Sequence, residues 1–160
     1  MHEVVTAAAK FAVFIPIAVV AVAFFALGKK RRWELAVLLV LSAISTALLV
    51  KFATTLHQDP RPFVRDGVHP YFASSTDNGF PSDHVAFSAV LAFVMLRYSR
   101  WLGAGLLVLS LFIGAARVIA GVHHAQDIIG GFVLAAIGVG LALLVLRLGA
   151  RAYASQKSHR

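Results

Sequence analysis

The stretch WLGAGLLVLSLFIGAARVIAGVHHAQD, residues 101–127, decides the fold class of this chain. Its apolar part, residues 101–122, contains a single charged side chain, Arg117. It is long enough to cross a bilayer, which takes about 20 residues of helix. The polar residues His123 and Asp127 follow directly. This pattern predicts a membrane-spanning helix that ends next to polar side chains able to act as acids, bases or nucleophiles.

Four further apolar segments flank this one in the 160-residue chain, in which hydrophobic residues make up 59% and charged residues 14%. Soluble domains are closer to 45–50% apolar and about 25% charged. We therefore predict an all-α fold, a polytopic membrane helix bundle with about five transmembrane helices, in which residues 1–160 form a single domain. The five segments are Ala7–Leu27, Trp33–Thr55, Asp83–Tyr98, Trp101–Val122 and Asp127–Leu148.

The first segment is interpreted as a retained helix and not as a signal peptide. It is followed by the basic cluster at residues 29–32, where a cleavage site of small residues would belong. The third segment, residues 83–98, is the shortest of the five and leaves open whether it spans the membrane fully.

The net charge of +8 does not indicate nucleic-acid binding, because the basic residues lie in short clusters between apolar segments. No recognised nucleic-acid-binding motif accompanies them. The chain has no cysteine. Disulfides, thiolate catalysis and cysteine-based metal sites are therefore excluded.

The distribution of basic residues predicts the orientation. Cytoplasmic junctions carry an excess of Lys and Arg. The N-terminus is therefore expected outside and the C-terminus in the cytoplasm, with the loop at residues 55–82 and the turn Gly121–Gln126 together on the outer face. The richer set of junctions carries Lys29, Lys30, Arg31, Arg32, Arg97, Arg100, Arg147, Arg151, Lys157 and Arg160. The poorer set carries Lys10, Lys51, Arg61, Arg65 and Arg117.

Three short motifs converge on this outer face, and their side chains suit chemistry on a phosphate. Charge on a transferred phosphoryl group must be neutralised by preorganised donors, and the planar fork of arginine binds phosphate oxygens bidentately. The candidates are Arg61 and Arg117, with Ser82 and the first backbone N–H groups of the helix that starts at Pro81-Ser82-Asp83 as further donors.

A nucleophile is available in His123. Histidine can attack phosphorus to form a covalent intermediate when a carboxylate holds its other ring nitrogen. Asp127 lies four residues later, one helical turn away, so the two side chains can meet. His84, in the first turn of another helix, is placed to protonate the leaving oxygen and later to activate water. The scheme uses no metal and no other cofactor.

Each of these residues also has a plain structural explanation. Arg61 can be an ordinary loop charge, Ser82 a helix cap, and His84 a loop histidine without a task. His123 and Asp127 can be a satisfied structural pair. Taken together these explanations are less favoured, because all the residues are expected on one face. Arg117 lies five residues inside the end of an apolar helix, where an arginine without a function is uncommon.

Together the three motifs resemble the signature of the type 2 phosphatidic acid phosphatase superfamily. That signature has a Lys separated by six residues from Arg-Pro, then Pro-Ser-Gly-His, then Ser-Arg with five residues to His and three more to Asp. The match spans residues 61–127 in the family's order. The matching residues are Arg61, Pro62, Pro81, Ser82, His84, Arg117, His123 and Asp127.

The resemblance implies the roles already reasoned from the residues, with three departures. Thr54 stands at the position of the family's lysine, Ala116 replaces its serine and Asp83 its glycine. Lys51, one turn before Thr54, is expected to bind substrate phosphate in the lysine's place, with His57 as the alternative. Family members commonly have six membrane helices, and one N-terminal helix is expected to be missing here.

The form Phe80-Pro81-Ser82-Asp83-His84 is similar to that of the undecaprenyl pyrophosphate phosphatases linked to bacitracin resistance. This resemblance implies hydrolysis of undecaprenyl diphosphate through a phosphohistidine, in the plasma membrane, with the site on the extracytoplasmic side. The motifs bind the phosphate and not the lipid, so a phosphatidate or phosphatidylglycerophosphate phosphatase remains an alternative. A non-catalytic membrane protein that binds lipid phosphates, or a transporter subunit, is the alternative of another class, supported by the altered first motif.

Overall fold

The computed structural model describes residues 1–158, so Arg160, one of the basic residues predicted on the cytoplasmic side, lies outside the described part. The regular elements of residues 1–158 are all helices, which confirms the all-α prediction. They are α1 His2–Phe11, α2 Phe14–Ala26, α3 Lys29–Leu56, α4 Pro62–Arg65, α5 Asp83–Leu96, α6 Arg100–Ile119 and α7 Ala125–Ser158.

Three of these helices, α3, α6 and α7, are long and apolar enough to cross a membrane. The number rises to four if α1 and α2, which meet at a bend of 44°, form one broken span. The third predicted segment, residues 83–98, corresponds to α5, which has 14 residues. At 1.5 Å per residue α5 is about 21 Å long, less than the roughly 30 Å of the hydrocarbon core.

The first segment differs from the continuous helix expected over Ala7–Leu27. Helix α1 ends at Phe11 and α2 begins at Phe14. The proline at position 16 accounts for the break, because it has no N–H to donate to the carbonyl of residue 12 and its ring clashes with that carbonyl. Because of this break, the axis of α1 is bent by 44° from that of α2.

Helix α5 lies at the centre of the bundle. It packs against α6, α7, α3 and α2, and most of its side chains are buried. Small residues let the surrounding helices approach closely, as at Gly138 of α7, where a Cβ atom would overlap Thr46 of α3. Many large apolar side chains point outward, as is usual where helices face lipid: they include Val40, Leu48, Phe112, Ile119, Ile129 and Val145.

The polar segments meet at one end of the bundle. Helices α3 and α6 end there, α5 and α7 begin there, and the loop at residues 57–82 covers it. Arg61 Nη1 donates to the carbonyl oxygen of Val122 at 3.1 Å, and the backbone N–H of Tyr71 donates to Ala120 O at 3.0 Å. The predicted convergence of the loop and the turn is thereby confirmed.

Candidate active site

The pair His123–Asp127 lies in the turn between α6 and the start of α7. The chain reverses at Gly121, whose φ of +70° suits glycine, and α7 begins at Ala125. His123 Nδ1 lies 3.1 Å from Asp127 Oδ2, and both side chains are buried. Asp127 Oδ2 also accepts the backbone N–H of His124 at 2.9 Å. The contact predicted from the spacing of four residues is therefore present.

Two arginines face the other ring nitrogen of His123. Nη2 of Arg117 lies 3.1 Å, and Nη1 of Arg61 3.3 Å, from His123 Nε2. A guanidinium group can only donate, so Nε2 must accept, and the ring proton then belongs on Nδ1, where it is donated to Asp127. The lone pair of Nε2 consequently points at the place where the two guanidinium groups meet.

Protonation of His123 is disfavoured in this position. Burial lowers the pKa of His123 below its ordinary value of 6.5; the hydrogen bond to Asp127 opposes this, and the charges of Arg117 and Arg61 lower the pKa further. The imidazole is thus neutral at neutral pH, as a nucleophile requires.

A cavity of about 370 Å³ opens in front of the histidine. His84 lines it, together with Arg61, Arg117 and His123. Within residues 1–158 no hydrogen bond ties the half-buried His84 ring to another protein group, so the ring is free to exchange a proton with a molecule in the cavity. The remaining lining residues are Lys10, Phe72, Ser74, Ser75, Asp77, Asn78, Pro81 and Asp83.

The two arginines are held differently. Arg117 Nη1 donates to the carbonyl oxygen of Ala9 in α1 at 3.0 Å, while its buried Nε has no partner in the described part of the chain. Arg61 pairs with the exposed Asp77 at 2.9 Å through Nη2. Arg117 therefore retains donors for an anion in the cavity. The donors of Arg61 already contact Asp77, Ser75, Val122 and His123, so Arg61 has to exchange some of these contacts to bind an anion.

Ser82 occupies the N-cap position of α5, as expected, but its hydroxyl makes no capping bond. Its Oγ is fully buried and has no partner among the described residues. The backbone N–H of Ser82 donates to the carbonyl oxygen of Asp127 at 3.1 Å. That N–H is thus committed to joining α5 to α7, and Ser82 itself is not among the residues that line the cavity.

The residues expected to replace the family's lysine lie away from the cavity. Lys51 is exposed on α3 and does not line it. Thr54 Oγ1 donates to the carbonyl oxygen of Lys51 at 2.8 Å, and the His57 ring packs edge-on against Phe80 with centroids 4.8 Å apart. The lysine that does line the cavity is Lys10 of α1.

A second polar cluster joins the loop at residues 57–82 to the turn beside His123. His124 Nδ1 lies 2.7 Å from Asp59 Oδ2, and its Nε2 lies 2.9 Å from Asp66 Oδ2. Arg65 pairs with both carboxylates, at 2.7 Å from Asp59 and 2.9 Å from Asp66. The cluster connects His124, next in sequence to His123, to the segment that carries Arg61.

This cluster makes stability depend on pH. Burial lowers the pKa of His124, but the hydrogen bonds to Asp66 and Asp59 outweigh it and raise the pKa above 6.5. The stabilisation from protonated His124 is fully present below pH 6.5 and is lost as the pH rises through the raised value. The His124→Ala variant should therefore lose about 2–4 °C more in melting temperature at pH 5.5 than at pH 8.5. Equal losses at both pH values in thermal unfolding would contradict this.

One group of possible metal ligands is present among residues 1–158. Ligand atoms of Asp59, His124 and Asp127 all lie within 4.8 Å of one another. Arg65 already neutralises Asp59, and Asp127 Oδ2 already accepts from His123. The donor set is small and its charges are largely matched, so it does not indicate a metal centre.

Several functional side chains were not assigned a role from the sequence. Asp77 pairs with Arg61, and Asn78 Oδ1 accepts the backbone N–H groups of Asp59 and Phe80 at 2.8 and 3.1 Å. The signal was the polar run Asp77-Asn78-Gly79 just before the second motif, which is typical of a turn. Lys10 gave no such signal, because it lies far from all three motifs.

Comparison with known proteins identifies related sequences. A sequence model of the PAP2 superfamily matches residues 33–151. The putative undecaprenyl-diphosphatase YbjG of Escherichia coli (strain K12) is 37% identical over 100 residues, which cover 60% of this chain and 50% of that protein. The bacitracin transport permease protein BcrC of Bacillus licheniformis is 31% identical over 107 residues, 66% of this chain and 51% of that protein. The chain spans about half the length of these curated relatives.

Two solved structures share the fold. LpxE of Aquifex aeolicus superposes with a TM-score of 0.71 at 24% identity, covering 89% of this chain and 84% of that one. The first transmembrane PAP2 type phosphatidylglycerolphosphate phosphatase from Bacillus subtilis superposes with a TM-score of 0.59 at 21% identity, covering 91% and 76%. With its long apolar helices and membrane relatives, the chain is an integral membrane protein.

Proposed function

This chain belongs to the PAP2 superfamily of membrane lipid phosphatases, and on that premise we propose that it hydrolyses undecaprenyl diphosphate to undecaprenyl phosphate and inorganic phosphate. The observation that carries the proposal is the position of His123 Nε2, which faces two guanidinium groups while Nδ1 is held by Asp127. The proposal treats residues 1–160 as one transmembrane phosphatase domain in the plasma membrane, with its site on the extracytoplasmic side.

In the first step Nε2 of His123 attacks the terminal phosphorus. A P–N bond forms, the P–O bond to the bridging oxygen breaks, and the electron pair leaves with undecaprenyl phosphate. Asp127 stabilises the positive charge that develops on the ring through the Nδ1–H bond. His84 donates a proton to the leaving oxygen.

Arg61, Arg117 and the Ser82 hydroxyl neutralise the three outer oxygens of the transferred group. The unpartnered Nε of Arg117 and the unpartnered Oγ of Ser82 are buried donors that gain a partner when phosphate is bound. Preorganised donors of this kind stabilise the transition state without reorganisation during the reaction.

In the second step water attacks the phosphohistidine. His84, now deprotonated, accepts a proton from that water, the P–N bond breaks, and inorganic phosphate leaves with His123 neutral again. The low pKa of His123 favours this return to the neutral ring.

The choice of substrate is supported by the relative YbjG, whose name describes a putative undecaprenyl-diphosphatase. The test is phosphate release by the purified protein from undecaprenyl diphosphate and, in parallel, from phosphatidylglycerophosphate. Release from the polyprenyl substrate at a much higher kcat/KM supports the proposal. Release from phosphatidylglycerophosphate alone would replace it with the phospholipid phosphatase, and release from neither would favour a lipid-phosphate-binding protein.

Turnover should not depend on an added metal ion. The nucleophile and the groups that neutralise phosphate charge are side chains of the protein, namely His123, Arg61 and Arg117. We expect phosphate release in excess EDTA to stay within about twofold of the rate without chelator, since no metal-dependent term enters the barrier. Complete inactivation by EDTA that magnesium reverses would overturn this expectation.

A further inference from the structure

We propose that Lys10 of α1 binds the second phosphate of the diphosphate, the one that stays on the lipid, and so selects diphosphate over monophosphate substrates. This rests on the proposed function and extends it to a residue outside all three motifs. Lys10 lines the same cavity as His84, Arg117 and His123, although more than 50 residues separate it from the first motif.

The ammonium group of Lys10 is available for a ligand. It is exposed and forms no salt bridge among residues 1–158. Nζ lies over the ring of Phe72, 4.7 Å from the ring centroid, in a cation–π contact. An aromatic face attracts a cation only weakly at such exposed positions. This contact keeps the ammonium at the cavity wall without neutralising its charge.

Helix α1 is fixed over the site, which gives Lys10 a defined position. Ala9 is completely buried and packs with Ala116, Ala120 and Val122. Its carbonyl oxygen accepts the Nη1 of Arg117 at 3.0 Å. The phosphate-binding arginine and the residue next to Lys10 are therefore joined directly, so a phosphate on Arg117 lies near the end of the lysine side chain.

Apart from the two arginines, the lysine that the family uses to supply positive charge is missing from this cavity. The family's lysine position is Thr54, whose hydroxyl donates within its own helix, and Lys51 lies outside the cavity. Arg61 is partly neutralised by Asp77. A diphosphate carries more negative charge than a monophosphate, and Arg61 and Arg117 are occupied by the transferred group. Lys10 is the lysine that lines the cavity and is free for the second phosphate.

The test compares Lys10→Met, which keeps the apolar stem against Phe72 but removes the charge, with Lys10→Arg, which keeps the charge. Lys51→Met is the matched control on α3. We expect Lys10→Met to lower kcat/KM on undecaprenyl diphosphate about 10- to 100-fold, the effect of one charged hydrogen bond. Lys10→Arg and Lys51→Met should stay within about threefold of wild type.

A binding measurement decides the role of Lys10 independently of turnover. The dissociation constants of inorganic pyrophosphate and orthophosphate are measured by thermal stabilisation of the purified protein. We expect Lys10→Met to raise the dissociation constant of pyrophosphate about 10- to 100-fold and that of orthophosphate less than about threefold.

Several results would overturn the proposal. The first is that Lys10→Met binds pyrophosphate as tightly as the wild type does. The second is that the variant loses affinity for pyrophosphate and orthophosphate equally. The third is that the wild type does not bind pyrophosphate. A wild-type protein that is inactive on every lipid but binds pyrophosphate through Lys10 would refute the proposed function alone.

Discussion

Replacing His123 with alanine should abolish phosphate release, with kcat reduced about 10⁴-fold or more, as is usual for a removed nucleophile. Nε2 of this ring is the atom that faces both guanidinium groups, and the described cavity lining offers no other histidine held by a carboxylate. Alanine also leaves the position in front of Arg117 empty, so water has to attack the substrate without covalent catalysis. The measurement is steady-state phosphate release from undecaprenyl diphosphate.

His69→Ala is the matched control for this variant. His69 lies in the loop at residues 57–82, is exposed and does not line the cavity. It should keep wild-type turnover. A purified, folded His123→Ala protein with a near-normal rate would refute the covalent mechanism. Loss of turnover with retained binding of the lipid is the result expected of the enzyme.

Replacing Arg117 with lysine should reduce kcat/KM about 10²- to 10³-fold. The guanidinium makes two separate contacts, to the Ala9 carbonyl oxygen and to His123 Nε2, and its third nitrogen is buried without a partner among residues 1–158. A lysine ammonium is a single point of charge and cannot satisfy this fork. Losing one such preorganised donor in an active site costs about 10²–10³ in rate.

Arg65→Lys is the control for the arginine variant. Arg65 pairs with Asp59 and Asp66 and does not line the cavity, so its replacement should leave kcat/KM within about threefold. The rates are compared at one pH, with binding of orthophosphate measured alongside. An Arg117→Lys protein that is as active as the Arg65→Lys control would show that Arg117 does not bind the transferred phosphate.

The helices were largely predictable because apolar segments of membrane length leave few alternatives. Helix α5 begins at Asp83 as predicted, and the ends of α3 and α6 lie within a few residues of the expected bounds. The break before Pro16 was missed, although the proline was visible. In a long apolar run a proline can be tolerated or can end a helix, and the outcome depends on packing against neighbouring helices.

The site was predictable where its contacts are local. The spacing of four residues predicted the contact of His123 with Asp127, which the structure contains. The positions of the motifs at the ends of the apolar segments predicted that Arg61 and Arg117 lie at the same end of the bundle. The replacement for the family's lysine was not predictable. Lys10 reaches the cavity because α1 packs on α6, a tertiary contact that leaves no mark in the spacing of the motifs.

The most direct measurement of the central claim is a rapid quench of the enzyme with undecaprenyl diphosphate labelled in its terminal phosphate. After quenching at alkaline pH, where phosphohistidine survives, the labelled peptide is located by mass spectrometry. We predict the label on His123 in the wild type and none in His123→Ala. Label on another residue, or wild-type turnover by His123→Ala, would contradict a histidine nucleophile at this site.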